Sequence, residues 1–154
     1  MDKTTVQIRR WDNGKIIFEH TCVENSVKVT LEHGVAAGVF FVCARLDGAD
    51  LVGTSLYRAS LDGADLVGAS LNRARLDGAS LNVASPPTNS HDFIAEILLR
   101  ENHKYSREVA GIVLISRDWC WADFLNYFSK SKIAWAKQVL CSKWSVFEKK
   151  FGVK

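Results

Sequence analysis

Between Ala44 and Ala84 the chain repeats one small position, one large apolar position and three mostly polar or glycine positions, every five residues. It reads ARLDG, ADLVG, TSLYR, ASLDG, ADLVG, ASLNR, ARLDG, ASLNV. Leucine holds every centre, at Leu46, Leu51, Leu56, Leu61, Leu66, Leu71, Leu76 and Leu81. Two positions before each centre stand Ala44, Ala49, Thr54, Ala59, Ala64, Ala69, Ala74 and Ala79. Gly48, Gly53, Gly63, Gly68 and Gly78 close their pentads, and the segment Ala44–Arg58 returns as Ala59–Arg73. At about 100° per residue, a five-residue step walks the leucines around a helix. The two-residue period of a strand alternates them between faces. A coil that turns once per pentad points every leucine the same way. The small residue and the leucine then form the core, glycine supplies the corner, and the two residues flanking each leucine face outward.

The flanks follow other periods. Val6, Ile8 and Trp11 precede Asp12-Asn13-Gly14-Lys15, and Ile16, Ile17 and Phe18 follow. An Asn-Gly between two β-rich runs predicts a hairpin. Asn25-Ser26 offers a helix N-cap, and Val27, Leu31 and Val35 share one helical face that ends near Gly38. Beyond the pentads, Ser85-Pro86-Pro87 breaks the coil. Ser90 then caps a helix bearing Phe93, Ile94, Ile97 and Leu98. Ser106 caps another bearing Val109, Ile112 and Val113. Arg117-Asp118 precedes Trp119-Cys120-Trp121 and Phe124, Leu125 and Phe128. A last helix is expected from about Ser131 to Lys150, with Ile133, Ala136, Leu140, Trp144 and Phe147 on its inner face. This reads as a small helical bundle with its own aromatic core.

The pentads resemble the pentapeptide-repeat family, whose consensus is A-(D/N)-L-x-x. The resemblance implies a right-handed quadrilateral β-helix with four pentads per coil, so eight pentads make about two coils. Phe41, with Val39 two before it, resembles one further pentad. Outward residues twenty apart then stack: Arg45 on Asp65, Asp47 on Val67, Asp50 on Ser70, Ser55 on Arg75 and Tyr57 on Asp77. Stacked strands lie roughly 4.8 Å apart, so the coil is only about 10 Å tall, and its ends need caps. The expected fold class is α+β, in three parts. Residues 1–38 form a hairpin and capping helix, residues 39–84 the β-helix and residues 85–154 an α-helical domain. The resemblance also implies a bacterial or phage origin.

Charge bears on function by segment. The net charge of +3 divides into zero over residues 1–43, −1 over 44–84 and +4 over 85–154. The basic residues near the end, Lys130, Lys132, Lys137, Lys143, Lys149, Lys150 and Lys154, alternate with apolar ones, as on a solvated helix face. A hydrophobic share of 47% with 24% charged residues is that of a globular protein. The uncharged stretch Gly34–Ala44 is too short to span a bilayer, and Met1-Asp2-Lys3 does not open a signal peptide. The expectation is a cytoplasmic protein with no membrane partner. Cys22, Cys43, Cys120 and Cys141 form no Cys-x-x-Cys and have no histidine at metal-ligand spacing. Buried free thiols are expected.

No residue cluster reads as catalytic, cofactor-binding or metal-binding. Ser90 beside His91-Asp92 is a helix cap, with Asp92 favoured in a first turn. Cys120, with His103 upstream, reads as a buried thiol among aromatics. His20 and His33 have no ligand set around them. The recurring glycines are coil corners rather than a phosphate loop. No enzyme and no cofactor are therefore expected. What varies is the outward set, and the expectation is a non-enzymatic protein–protein interaction or scaffold module of the pentapeptide-repeat type. Its binding face is placed at Tyr57, Arg58, Arg73 and Arg75, because Arg and Tyr are favoured at interface hot spots. The basic Lys143–Lys154 end with Phe151 is the second candidate. Nucleic acid is disfavoured because Asp62 and Asp77 lie near these arginines. One alternative is the family's DNA-mimic activity, modulation of DNA gyrase or another topoisomerase. Mimicry needs a long column of carboxylates, which this short, nearly neutral coil lacks. The other alternative is a self-assembling structural protein.

Overall fold

The computed structural model describes residues 1–116 and 120–152, so the expected Arg117-Asp118-Trp119 segment and Lys154 lie outside the described residues. The chain forms two compact units, Met1–Asn89 and Ser90–Lys154.

The first unit opens with an antiparallel hairpin of β1 (Lys3–Arg9) and β2 (Ile16–Val23), in the register that sets Val6 opposite His20 and Ile8 opposite Phe18. Asn13 Oδ1 accepts from Lys15 N at 2.9 Å, and Gly14 takes the left-handed φ of +72° that the turn needs. Trp11, read from the sequence with the first strand, lies in the turn instead. The register shifts between Ile8 and Arg9, which turns the chain onto the coil, where Arg10 bridges to Ala44. Trp11 N donates to Cys43 O at 3.0 Å and its indole Nε1 to Gly63 O at 2.7 Å. α1 (Val27–Ala36) follows, with Ser26 Oγ accepting from Val29 N at 3.2 Å. The helix stops at Ala37, before Gly38 at φ +74°.

Residues 40–85 wind into a stacked coil. Parallel bridges join Phe40 to Ser60, Arg45 to Asp65, Asp50 to Ser70, Ser55 to Arg75, Ser60 to Ser80 and Asp65 to Ser85. Every bridge spans twenty residues, so one turn is four pentads, and three bridges fall on outward pairs expected from the sequence. Each corner up to Gly78 is closed by a local hydrogen bond such as Ala49 N to Leu46 O at 3.1 Å or Ala59 N to Leu56 O at 3.0 Å. The residue two after each central side chain is left-handed from Cys43 to Gly78. Glycine fills five of these corners, and Cys43 (φ +58°), Arg58 (+57°) and Arg73 (+60°) fill the others. All eight leucines and Phe41 are buried, whereas Ala49 and Ala74 are half-buried. Thr54 takes an alanine position and is fully buried, with no hydrogen-bond partner for its hydroxyl.

The first turn of the coil has backbone groups with no turn beneath them, and the preceding elements meet them. Arg45 N donates to Arg9 O at 2.7 Å. From α1, Lys28 Nζ donates to Val52 O at 2.7 Å, and Glu32 Oε1 accepts from Ser55 N at 2.8 Å. Lys28 and Glu32 stand one helical turn apart, so both reach the same edge. Leu31 and Phe41 are fully buried, and the Phe18 ring meets Phe41 edge-on at 6.4 Å between centroids.

The second unit contains α2 (His91–Arg100), α3 (Ser106–Ile115), α4 (Trp121–Tyr127), α5 (Lys130–Lys143) and α6 (Val146–Phe151). α2 packs on α3 and α5, and α6 packs on α5. Ser90 caps α2 through Phe93 N. Ser106 does not cap α3. It is buried, and its hydroxyl donates to Glu101 O while accepting from His103 N, which ties down the loop before the helix. The single helix expected over 131–150 is two. Trp144 is extended (φ −145°, ψ 120°), which ends α5 and lets α6 turn back. Phe147 and Phe151 then reach the Trp121 ring, at 5.7 and 5.0 Å between centroids. A continuous helix would carry both rings away from that cluster.

Candidate protein-interaction surface

One face of the coil is built from the pentad of Leu56 and the pentad of Leu76 stacked on it. Arg75 N donates to Thr54 O and Leu56 N to Arg75 O, each at 2.9 Å, and Arg58 N donates to Asp77 O at 2.9 Å. These bonds fix Ser55 and Tyr57 on the lower strand beside Arg75 and Asp77 on the upper. Tyr57 is 42% exposed. The Arg58 guanidinium carbon lies 5.0 Å from the centroid of its ring and that of Arg75 5.5 Å, both within cation–π range. Arg75 Nε stands 3.6 Å from Asp77 Oδ2, with the two side chains 65% and 68% exposed. Such a solvated pair holds its partners weakly.

Arg58 reaches the ring because of where it starts. Its left-handed backbone aims the side chain along the upper pentad, where Cγ passes 3.2 Å from the place a Cβ on Gly78 would take. Gly78 leaves that path open. Arg73, at the preceding left-handed corner, is exposed and makes no ring contact with Tyr57. Of the four residues singled out from the sequence, the coil therefore gathers Tyr57, Arg58 and Arg75 and places Arg73 at its neighbouring corner. Asp77 and Gly78 belong to the same face. They were legible only as the residues stacked twenty positions above Tyr57 and Arg58.

The second candidate dissolves in part. Phe151 is 5% exposed and belongs to the aromatic core, with Lys137 Nζ over its ring at 5.5 Å. Lys143 pairs with Glu101 at 3.1 Å. Lys149 and Lys150 remain exposed.

The remaining residues weighed for chemistry have structural surroundings. Ser90 Oγ is occupied at the α2 cap. The four cysteines are free, but none is buried, contrary to expectation. Cys120 is exposed because it occupies the N-cap of α4, a helix end open to solvent. Its N–H donates to Asp123 Oδ2 at 2.8 Å, which lowers the carboxyl pKa of Asp123. Cys141 is half-buried, and desolvation raises its thiol pKa. His103 stacks on Trp135 at 5.0 Å, with the planes 11° apart. His20 and His33, far apart in sequence, stack at 4.0 Å, and His33 Nδ1 lies 3.0 Å from Val29 O. Among the described residues no group of three or more His, Cys, Asp or Glu side chains is placed to hold a metal ion, and no helix is long and apolar enough to cross a membrane.

Residues 41–82 match the family model of pentapeptide repeats, in eight copies. That family is generally non-enzymatic and suggests protein interaction. No curated protein and no solved structure matches the chain. Eight matched repeats, a twenty-residue stacking period and a left-handed corner in every pentad up to Gly78 agree with one another, and residues 41–82 are a pentapeptide-repeat segment.

Proposed function

We propose that the chain is a non-enzymatic protein-interaction module whose binding face is the Tyr57, Arg58, Arg73 and Arg75 side of the coil. In this reading the coil is the right-handed quadrilateral β-helix of its family, residues 1–38 cap it and residues 85–154 form a helical domain. The observation that carries the proposal is the exposed Tyr57 ring with two guanidiniums held against it on a rigid ladder. Interfaces draw most of their affinity from such Tyr and Arg anchors, and a ladder-mounted anchor loses little entropy on binding. Arginine at a left-handed corner, where glycine is favoured, supports the same reading: these side chains are kept where the backbone disfavours them. The gyrase-mimic alternative has no support in the exterior, where the ladders pair Arg45 with Asp65 and Ser55 with Arg75 rather than acid with acid.

A photoreactive residue replacing exposed Asp77 tests the face against one replacing Asp50, on another side of the coil. The expected result is one protein crosslinked from position 77 and absent from position 50, and lost when Tyr57, Arg58, Arg73 and Arg75 are all alanine. Equal crosslinking from both positions, or none from either, refutes the assignment.

A further inference from the structure

We infer that this face takes a short, extended, acidic segment of the partner, gripped through its carboxylates; the inference rests on the protein-binding reading above. The charge of the face argues for it. Arg58, Arg73 and Arg75 stand on adjoining corners and strands, and Asp77 is the one acid of the Leu56 and Leu76 pentads. Among the described residues Arg58 and Arg73 have no acidic partner, and Arg75 has only its solvated contact through Nε. Guanidinium groups resting on an aromatic ring keep their N–H edges free, and a planar fork of donors matches a carboxylate in bidentate geometry. Tyr57 thus serves as a platform that orients Arg58 and Arg75.

Size decides the form of the partner. The face is two pentads high, roughly 10 Å, and at most about 16 Å wide for a five-residue side, so its area, on the order of 160 Å², is far below the roughly 800 Å² per side of a standard interface between folded proteins. An extended segment fits that height, and its carboxylates at alternate positions, roughly 7 Å apart on one side, can engage both arginines. At the lower edge of this face and between its two strands the backbone is already paired: Ser55 N is taken by Glu32, and Arg75 N and O are taken by Thr54 O and Leu56 N. There the segment is held through side chains. A single-stranded nucleic acid would need the Tyr57 ring for base stacking, but guanidiniums already lie on it.

The test is fluorescence anisotropy of the full chain with a labelled alternating Ser-Glu peptide of about eight residues, beside the matching Ser-Gln peptide and an oligothymidine of similar length. The inference expects saturable binding of the Ser-Glu peptide alone, weakened by salt. Arg58→Gln, Arg75→Gln and Tyr57→Leu should each weaken it about tenfold, the scale of one charge-assisted contact. Arg58→Lys should weaken it nearly as much, because lysine lacks the fork. Arg107→Gln, on α3, should leave it unchanged. Circular dichroism and thermal midpoints verify that each variant folds. Absent peptide binding, loss of less than twofold in all three face variants, or tighter binding of the oligothymidine overturns the inference. If position 77 still crosslinks a protein while the Ser-Glu peptide fails to bind or to compete, the acidic segment is wrong and the protein-binding face stands.

Discussion

Gly34 offers a test in which helix propensity and packing pull in opposite directions. In the interior of a helix, glycine is less stable than alanine by about 1 kcal/mol, so Gly34→Ala considered locally stabilises α1. A Cβ at this position, however, would lie 2.4 Å from Phe41 Cζ and 3.0 Å from both Phe41 Cε2 and Phe18 Cδ1. Carbon contacts settle at roughly 3.5–4.0 Å, so the Phe41 ring would have to retreat by more than about 1 Å. It has little room to do so, being fully buried with Phe18 against it. Overpacking of this kind costs about 1–3 kcal/mol, and the severity of the contact puts the cost near the upper end. The net expectation is destabilisation of the first unit by about 2 kcal/mol. Gly111→Ala is the control, since Gly111 is an exposed residue of α3 with nothing within 4 Å of its would-be Cβ, and it should stabilise the second unit by about 0.5–1 kcal/mol. Urea unfolding followed by residue-resolved NMR reads the two units separately. In a Phe41→Leu background the Phe41 ring contacts are gone and only Phe18 Cδ1 at 3.0 Å remains, so the penalty of Gly34→Ala should shrink. A Gly34→Ala chain as stable as wild type, or a penalty unchanged by Phe41→Leu, would refute the packing argument.

Other perturbations probe the coil and its cap. Thr54→Val keeps the buried shape and removes a hydroxyl with no partner, so it should raise the stability of the first unit by about 1 kcal/mol in the same titration; a loss would mean that the hydroxyl is satisfied. Arg73→Gly relieves a left-handed corner at φ +60° and should stabilise by about 1 kcal/mol while weakening partner binding, as unfolding and crosslinking would report together. Asp12 is bonded by Arg10 at 2.9 and 2.6 Å, which lowers its carboxyl pKa. A lowered pKa gives stability that is present above the ordinary aspartate value of about 3.9 and lost as pH falls through the folded value. The stability gap between wild type and Asp12→Asn should therefore be widest near neutral pH and close in acid; a gap that grows in acid contradicts the assignment.

How far the sequence could be read depended on whether one residue type or a distant pairing carried the information. The leucine ladder was legible because period five excludes helix and strand alike. The hairpin was legible because Asn13-Gly14 demands a left-handed turn residue. Trp11 was misplaced because its partners, Cys43 O and Gly63 O, are backbone groups with no sequence signature. The break between α5 and α6 carries no glycine or proline; Trp144 turns out of the helix because Phe147 and Phe151 reach a better aromatic cluster behind it. Ser106 looked like a cap by position, yet its hydroxyl is used by Glu101 and His103. The arginines of the candidate face were visible as residue types. Their convergence on Tyr57 required knowing that Arg75, eighteen residues away, lies one strand above.

The end of the coil bears on how so short a repeat can carry the proposed face. A stacked coil leaves unpaired N–H and C=O groups on its first turn, a template for further strands and a cost if covered without partners. The cap answers with groups of matching sense: Arg9 O for Arg45 N, Lys28 Nζ for Val52 O and Glu32 Oε1 for Ser55 N. The last of these bonds lies on the strand that carries Tyr57. Glu32 therefore closes the edge against another strand and fixes the position from which Tyr57 projects. In the proposed binding, the paired backbone beneath Tyr57 leaves selectivity to the ring and the guanidiniums that rest on it.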